Sequence, residues 1–118
     1  MVFTDIKKKH SSHSITLDVS IVETAKAAEF FLSDGIVVTG SSTGAETDID
    51  ELSAVKQCTK LPIIIGSGIT AENIDKYYNL ADVFIVGSYF KNDGSWLNGV
   101  DKTRVKRFMN NHAKYRIK

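Results

Sequence analysis

The fold of this chain is decided by the stretch Pro62-Ile63-Ile64-Ile65-Gly66-Ser67-Gly68-Ile69-Thr70-Ala71-Glu72-Asn73. The apolar run in this stretch is typical of a buried strand, and the Gly-Ser-Gly triplet that follows is typical of a tight turn. The threonine after the triplet is typical of a helix N-cap. A second apolar run follows Asp82 and likewise ends in two small residues, Gly87 and Ser88. Turns of this kind leave backbone N–H groups free to face an anion. The pattern predicts a phosphate site, although the same glycines would also suit ordinary loops between strands and helices.

The composition of the chain is typical of a globular protein. The chain has 118 residues, of which 42% are hydrophobic and 25% charged, and its net charge is +1. These values predict one globular domain and argue against disorder or a nucleic-acid partner. The sequence has one cysteine, no run of roughly 20 apolar residues and no signal-peptide pattern. We therefore expect a cytoplasmic protein with no cofactor and no membrane partner.

Strand and helix patterns alternate along the chain. Short apolar or alternating runs predict strands at residues 2–8, 35–40 and 82–88 and within the stretch quoted above. Each of four predicted helices follows a residue that caps helix N-termini well, namely Ser20, Asp48, Thr70 and Asp101. The third of these helices is expected to run from Ala71 to about Leu80. This order predicts a parallel sheet with right-handed crossovers in a single α/β domain over residues 1–118.

Five short motifs, taken in order, resemble the BtpA/SgcQ-like family. They are DIKKKH at residues 5–10, VVTGSSTG at 37–44, GSGITAEN at 66–73, IVGSYFK at 85–91 and VD at 100–101. The resemblance implies a phosphate-binding (β/α)8 barrel, of which this chain corresponds to strands five to eight. The family's founding member is linked to the assembly or stability of photosystem I, but a photosynthetic role does not carry over to this chain from the resemblance alone. Other members occur in organisms without photosynthesis.

The length of the chain raises a structural problem. A complete (β/α)8 barrel needs roughly 250 residues, about twice the 118 present. A half barrel leaves strand edges unpaired and one apolar face exposed. We therefore expect either a homo-oligomer, in which two copies complete a barrel, or a chain that lacks an N-terminal half. The alternative fold is a flavodoxin-like open parallel sheet.

Phosphate-binding residues are predicted at the ends of the last two strands. In (β/α)8 barrels the active site lies at the carboxyl ends of the strands, and the loops after strands seven and eight often bind phosphate. Here those loops contain Gly66, Ser67, Gly68, Gly87 and Ser88. Their backbone N–H groups would meet the charge of a phosphorylated small molecule or inorganic phosphate, helped by the serine hydroxyls and by the positive end of the next helix.

Candidate catalytic residues follow the first strand. Asp5, Lys7 and Lys9 share one face of this strand and would point inward near its carboxyl end. A lysine beside another lysine has a lowered pKa, which is how a general base or a Schiff-base lysine is prepared. The alternative is a charged strand end that faces solvent.

Two further groups complete the list of candidates. Thr39, Gly40 and Thr43 follow the second strand and Lys91 follows the fourth, so these four residues could orient a substrate or reach its phosphate. We expect no metal site, because histidines in a polar loop are usually surface residues and the acidic residues near Asp48 serve the start of a helix.

Two hypotheses of function follow. The first is an enzyme, or the remnant of one, that acts on a phosphosugar or a nucleotide-derived phosphate. The second is a non-catalytic assembly or stability factor, as the family's connection with photosystem I implies. An enzyme needs Asp5, Lys7 and Lys9 to converge on the Gly66–Gly68 rim, whereas an assembly factor needs only an exposed apolar surface.

Overall fold

A computed structural model describes residues 1–6, 20–40 and 45–116. Lys7, Lys9 and Thr43 therefore lie outside the described residues. In these ranges four strands alternate with four α-helices, in the order β1 Phe3–Asp5, α1 Ile21–Phe30, β2 Gly35–Val38, α2 Ile49–Cys58, β3 Ile63–Ile65, α3 Ile74–Tyr77, β4 Val83–Phe84 and α4 Lys102–Arg116. Two short 3-10 turns, Ser88–Phe90 and Asn92–Gly94, connect β4 to α4.

The four strands form one parallel sheet in the order β1-β2-β3-β4. The predicted α/β fold with a parallel sheet is confirmed. The consecutive order is that of successive units in a (β/α)8 barrel, whereas a flavodoxin-like sheet places its second strand outside its first. The described sheet therefore has the topology of half a barrel.

The hydrophobic core lies on one face of this sheet. Ile36 and Val38 of β2 are fully buried beside Ile63 and Ile65 of β3, with which they pair in register. The same cluster contains core residues of every described helix, including Ala25, Leu52, Ile74 and Phe108. All four helices consequently pack on this face, as right-handed crossovers between consecutive parallel strands require.

The opposite face of the sheet carries apolar side chains that none of the described helices covers. Phe3, Val83 and Ile85 lie on it, and 48%, 48% and 52% of their surfaces are exposed. We call these three residues the open face. Ile6, which follows β1, is only 1% exposed and belongs to the core cluster, so its side of the chain faces the helices.

Helix N-caps explain where three of the helices begin. The hydroxyl of Ser20 accepts a hydrogen bond from the Glu23 N–H at 3.1 Å, and the carboxylate of Asp48 accepts from the N–H groups of Asp50 and Glu51. Asp101 accepts from the Thr103 N–H at 2.9 Å at the start of α4. These three predicted caps are confirmed.

The third helix is shorter than the predicted span from Ala71 to about Leu80. It contains only Ile74–Tyr77, with turns on either side. The Thr70 hydroxyl accepts from the Asn73 N–H at 3.2 Å, and the Asn73 side-chain oxygen accepts from the Thr70 N–H at 2.8 Å. This reciprocal pair has the arrangement of a capping box at Thr70, but residues 71–73 are turns and the α-helix itself begins after Asn73.

Replacing the α2 cap tests how much local hydrogen bonding contributes to stability. We expect Asp48→Ala to lower the free energy of unfolding by about 1 kcal/mol, because two N–H groups lose their acceptor. Asp48→Asn is the matched control, since asparagine caps equally well. Equal denaturant midpoints for the alanine and asparagine variants would contradict the capping role.

Candidate anion-binding site

Two turns at the carboxyl ends of β3 and β4 line one cleft of about 240 Å³. The first turn follows Ile65 and the second follows the end of β4. The cleft is lined by Gly66, Ser67, Gly68, Ile69, Thr70, Gly87, Ser88, Tyr89, Gly94 and Arg104. The structure therefore brings together all five residues predicted to bind phosphate.

Backbone donors in both turns are available to a ligand. Within the described ranges, no hydrogen bond engages the N–H groups of Ser67, Gly68 and Ile69 on the first turn, or of Ser88 and Tyr89 on the second. Successive free N–H groups in a turn form a concave site that favours negative charge. Residues whose backbone N–H groups are unengaged among the described residues therefore line both sides of the cleft.

The Ser67 side chain has a different task from its backbone. Its hydroxyl accepts from the Gly40 N–H at 2.9 Å and donates to the Ala45 carbonyl at 3.2 Å. The side chain is buried, with 7% of the residue exposed. Ser67 thus ties the loop after β2 to the turn after β3, which leaves its N–H group, rather than its hydroxyl, for a ligand.

Asn73 fixes the far side of the same turn. Its side-chain amide donates to the Gly68 carbonyl at 2.8 Å and to the Glu46 carboxylate at 2.9 Å, while its oxygen accepts from the Thr70 N–H. The residue is 4% exposed. The sequence analysis did not identify this role, because an asparagine five residues beyond a glycine gives no local signal of the contact.

Close packing explains two of the glycines. A Cβ atom built on Gly40 or on Gly68 would lie 2.3 Å from the Ala45 carbonyl oxygen, and the φ angle of Gly68 is +75°. Both positions therefore require glycine for steric reasons. Gly87 differs, since a Cβ atom there would meet nothing within 4 Å.

Arg104 adds a positive charge that the sequence analysis did not predict. It lies in the first turns of α4, where its Nε–H donates to the Tyr89 carbonyl at 2.5 Å and its guanidinium carbon lies 4.5 Å from the centroid of the Tyr89 ring. One guanidinium nitrogen would be 3.3 Å from a Cβ atom on Gly94. These contacts hold the guanidinium at the wall of the cleft.

Other predicted residues lie elsewhere. Asp5, Thr39, Gly40 and Lys91 are not among the described residues that line the cleft. Asp5 ends β1, two strands away from β3. The backbone of Lys91 instead bridges to Val100 and helps to close the connection before α4. The catalytic and substrate-binding roles of these residues stay predictions.

A buried tyrosine secures the loop that packs against the glycines. The Tyr77 hydroxyl donates to the Thr47 carbonyl at 2.8 Å. Burial raises the pKa of Tyr77 above its ordinary value of 10.0, and the nearby carboxylates of Glu46 and Asp48 raise it further. Because each effect favours the protonated phenol, the hydrogen bond to Thr47 is maintained at neutral pH.

The described residues do not place metal-ligating side chains together. In the described ranges, no group of three histidine, cysteine or carboxylate side chains could hold a metal ion. The described cleft contains backbone N–H groups and an arginine, which suit an anion rather than a cation.

Comparison with known proteins gives the family. Residues 1–114 match the sequence profile of the BtpA family. The chain belongs to the BtpA family. This finding confirms the resemblance that the five sequence motifs carry.

Relatives in this family come from distant organisms. An uncharacterized mitochondrial protein of Caenorhabditis elegans is 49% identical over 108 residues, which cover 92% of this chain and 39% of the relative. An uncharacterized protein of Methanocaldococcus jannaschii is 35% identical over 109 residues, which cover 92% of this chain and 41% of that protein. The Escherichia coli protein designated SgcQ is 32% identical over 77 residues, which cover 64% of this chain and 29% of SgcQ.

The BtpA-family chain spans about two fifths of the length of its nematode and Methanocaldococcus relatives. No helix in the described part of the chain is both long and apolar enough to cross a membrane. A cytoplasmic location stays a prediction, and the name of the nematode relative assigns that protein to mitochondria.

Substitution of two glycines separates packing from ligand contact. We expect Gly68→Ala to lower the free energy of unfolding by about 2 kcal/mol or more, since a left-handed φ and a steric clash combine. Gly87→Ala should change it by no more than about 0.5 kcal/mol, because the new methyl group enters open space. Chemical denaturation measures both, and similar losses for the two variants would contradict the packing described.

Titration of Tyr77 predicts a pH-dependent contribution to stability. The raised pKa means that the stabilising effect of Tyr77 is complete below pH 10 and declines as pH rises through the folded-state pKa. Tyr77→Phe should cost about 1 kcal/mol at neutral pH through the lost hydrogen bond. Denaturation of both proteins from neutral to alkaline pH should show this difference shrinking above pH 10. A constant difference would contradict the prediction.

Proposed function

We propose that this BtpA-family chain binds a phosphorylated small molecule, through its phosphoryl group, in the cleft between the β3 and β4 turns. The observation that carries the proposal is the convergence of free N–H groups from both turns with the Arg104 guanidinium. Phosphate oxygens accept hydrogen bonds from both kinds of donor. A phosphosugar or a nucleotide-derived phosphate is the class of ligand proposed.

Arginine and backbone N–H groups contribute differently to such a site. A guanidinium offers paired donors in a plane that matches two phosphate oxygens, and it stays charged at every physiological pH. The expected help from a helix dipole is small here, because α3 has only four residues. Arg104 and the free N–H groups therefore provide most of the proposed attraction.

The size of the cleft supports recognition of the phosphoryl group alone. A volume of about 240 Å³ lies below the roughly 300–1,000 Å³ of pockets that enclose a whole drug-sized ligand. The remainder of the ligand would extend over the carboxyl ends of the neighbouring strands, where Thr39 and Asp5 are located. In (β/α)8 barrels this rim carries the catalytic groups.

We infer that the site belongs to an enzyme or to the remnant of one. The fold hosts many chemistries, so the proposal does not extend to a reaction. Because the chain spans about two fifths of its relatives, we expect turnover by this chain alone to be weak or absent. The relatives' additional length would supply the other catalytic groups.

A non-catalytic assembly factor is the second candidate function. The exposed apolar residues of the open face favour it, since such surfaces mark sites of protein contact. An assembly role does not explain why the N–H groups of two turns are free beside the Arg104 guanidinium. Ligand binding therefore stays the first proposal.

Two arginines on one helix test the proposed site. Arg104→Gln should weaken binding of inorganic phosphate and of a sugar phosphate by about tenfold to a hundredfold, since a charged hydrogen bond contributes roughly 1.5–3 kcal/mol. Arg107→Gln is the matched control. Arg107 forms a surface ion pair with Glu72, at 2.6 Å, both side chains are more than half exposed, and Arg107 is not among the described residues that line the cleft.

Isothermal titration calorimetry measures these affinities, and circular dichroism establishes that each variant is folded. Gly87→Asp should abolish binding without unfolding the protein, because its carboxylate would enter the space proposed for the anion. The proposal is overturned if the folded wild-type chain binds neither ligand at millimolar concentration. Equal affinities of the Arg104 and Arg107 variants would also overturn the placement of the site.

A further inference from the structure

Three consecutive apolar residues at the end of α1 are strongly exposed. Phe30, Phe31 and Leu32 have 79%, 78% and 86% of their surfaces accessible. We call them the α1 patch. Phe31 and Leu32 line a shallow cavity together with Val2 and Thr4, so the patch lies at the β1 edge of the sheet. It precedes β2 in the chain, which places it at the amino-terminal end of the strands.

The backbone at Leu32 has a conformation that leucine rarely adopts. Its φ angle is +64°, in the left-handed region that glycine adopts most easily. The Leu32 N–H donates to the Glu29 carbonyl and the Ser33 N–H to the Ala28 carbonyl, which is the helix ending that normally selects glycine at this position. A leucine here therefore needs a reason outside its own helix.

An apolar groove lies at the opposite edge of the sheet. It has a volume of about 570 Å³ between β4 and α4. Its lining residues are mainly aromatic or aliphatic and include Tyr78, Val83, Phe84, Phe108, Met109 and His112. We call it the β4–α4 groove. Because Ala81, Asp82 and Val83 contribute to it, the groove is also at the amino-terminal end of the strands.

Aromatic rings pack against one another in the walls of the groove. The rings of Tyr78 and Phe84 stack with centroids 6.2 Å apart, and Tyr78 also contacts His112 edge-on at 5.7 Å. The Nδ1 atom of His112 is buried and has no hydrogen-bond partner among the described residues. A preformed apolar groove of this kind suits large apolar side chains.

We propose that a second copy of this chain is the partner of these surfaces, with the α1 patch of each copy in the β4–α4 groove of the other. The patch and the groove lie on opposite edges of one parallel sheet and at the same end of its strands. Placing β4 of one copy beside β1 of the next, with strands parallel, brings them into contact. A two-fold axis repeats the contact and closes eight strands into a barrel.

The area available is sufficient for a stable dimer. At about 150–250 Å² for each fully exposed aromatic side chain and somewhat less for an aliphatic one, the apolar surface at the two edges and on the open face is on the order of 900 Å² per copy. Eight residues contribute to it, namely Val2, Phe3, Phe30, Phe31, Leu32, Val83, Ile85 and Met109. Stable interfaces bury about 800 Å² per partner. The proposal accounts for the open face as well, since closure would bury it.

Solution mass tests the proposal directly. Analytical ultracentrifugation of the wild-type chain across roughly 1–200 µM should show a dimer that dissociates on dilution. Phe30→Glu in the patch and Met109→Lys in the groove should each raise the dissociation constant at least about tenfold. Ile49→Lys is the matched control, because Ile49 is 40% exposed on α2, away from both edges.

Leu32→Gly separates the interface from local folding. Glycine suits the left-handed backbone better, so this variant should weaken the dimer although its helix ending improves. A folded wild-type chain that stays monomeric throughout the concentration range would overturn the proposal. So would a dimer that none of the edge variants affects, or a monomer that captures the separately produced remainder of a relative. Phosphate affinity measured in parallel tests the cleft independently of this interface.

Discussion

The contact between the Ala45 carbonyl and two glycines determines the shape of the candidate site. Side-chain atoms at Gly40 or Gly68 would occupy the space of that carbonyl, so the loop after β2 can approach the turn after β3 only because both residues lack a Cβ atom. The Ser67 hydroxyl joins the two loops by bonding to both. The turn is thereby fixed with its remaining N–H groups free, which a more loosely held loop would not maintain.

The two faces of the sheet differ because the described helices all pack on the same one. Every described helix packs on the face that contains Ile36 and Ile65, and none of these helices covers Phe3 and Val83 on the other face. In a closed barrel, the uncovered face is the interior and its carboxyl-terminal rim is the active site. The proposed ligand cleft and the proposed partner surface are therefore two consequences of one topology, at opposite ends of the strands.

Local patterns in the sequence were sufficient for much of the fold. Ser20, Asp48 and Asp101 cap their helices as expected, because capping depends on groups within three residues of one another. The third helix is shorter than predicted. Thr70 and Asn73 exchange the hydrogen bonds of a capping box, but residues 71–73 and 78–80 are turns, and the apolar spacing of Ile74 and its neighbours does not reveal where the α-helix begins and ends.

The sequence by itself determined the parallel α/β fold, the family, and the pair of glycine-containing turns at the ends of neighbouring strands. Each of these features depends on periodicity or on residues close together in the chain. Only the tertiary structure decided that Arg104 faces the cleft, that the Ser67 hydroxyl is used for packing, and that the α1 patch and β4–α4 groove occupy opposite edges. Those features join residues far apart in sequence, and their positions depend on how α4 and the loops fold back over the sheet.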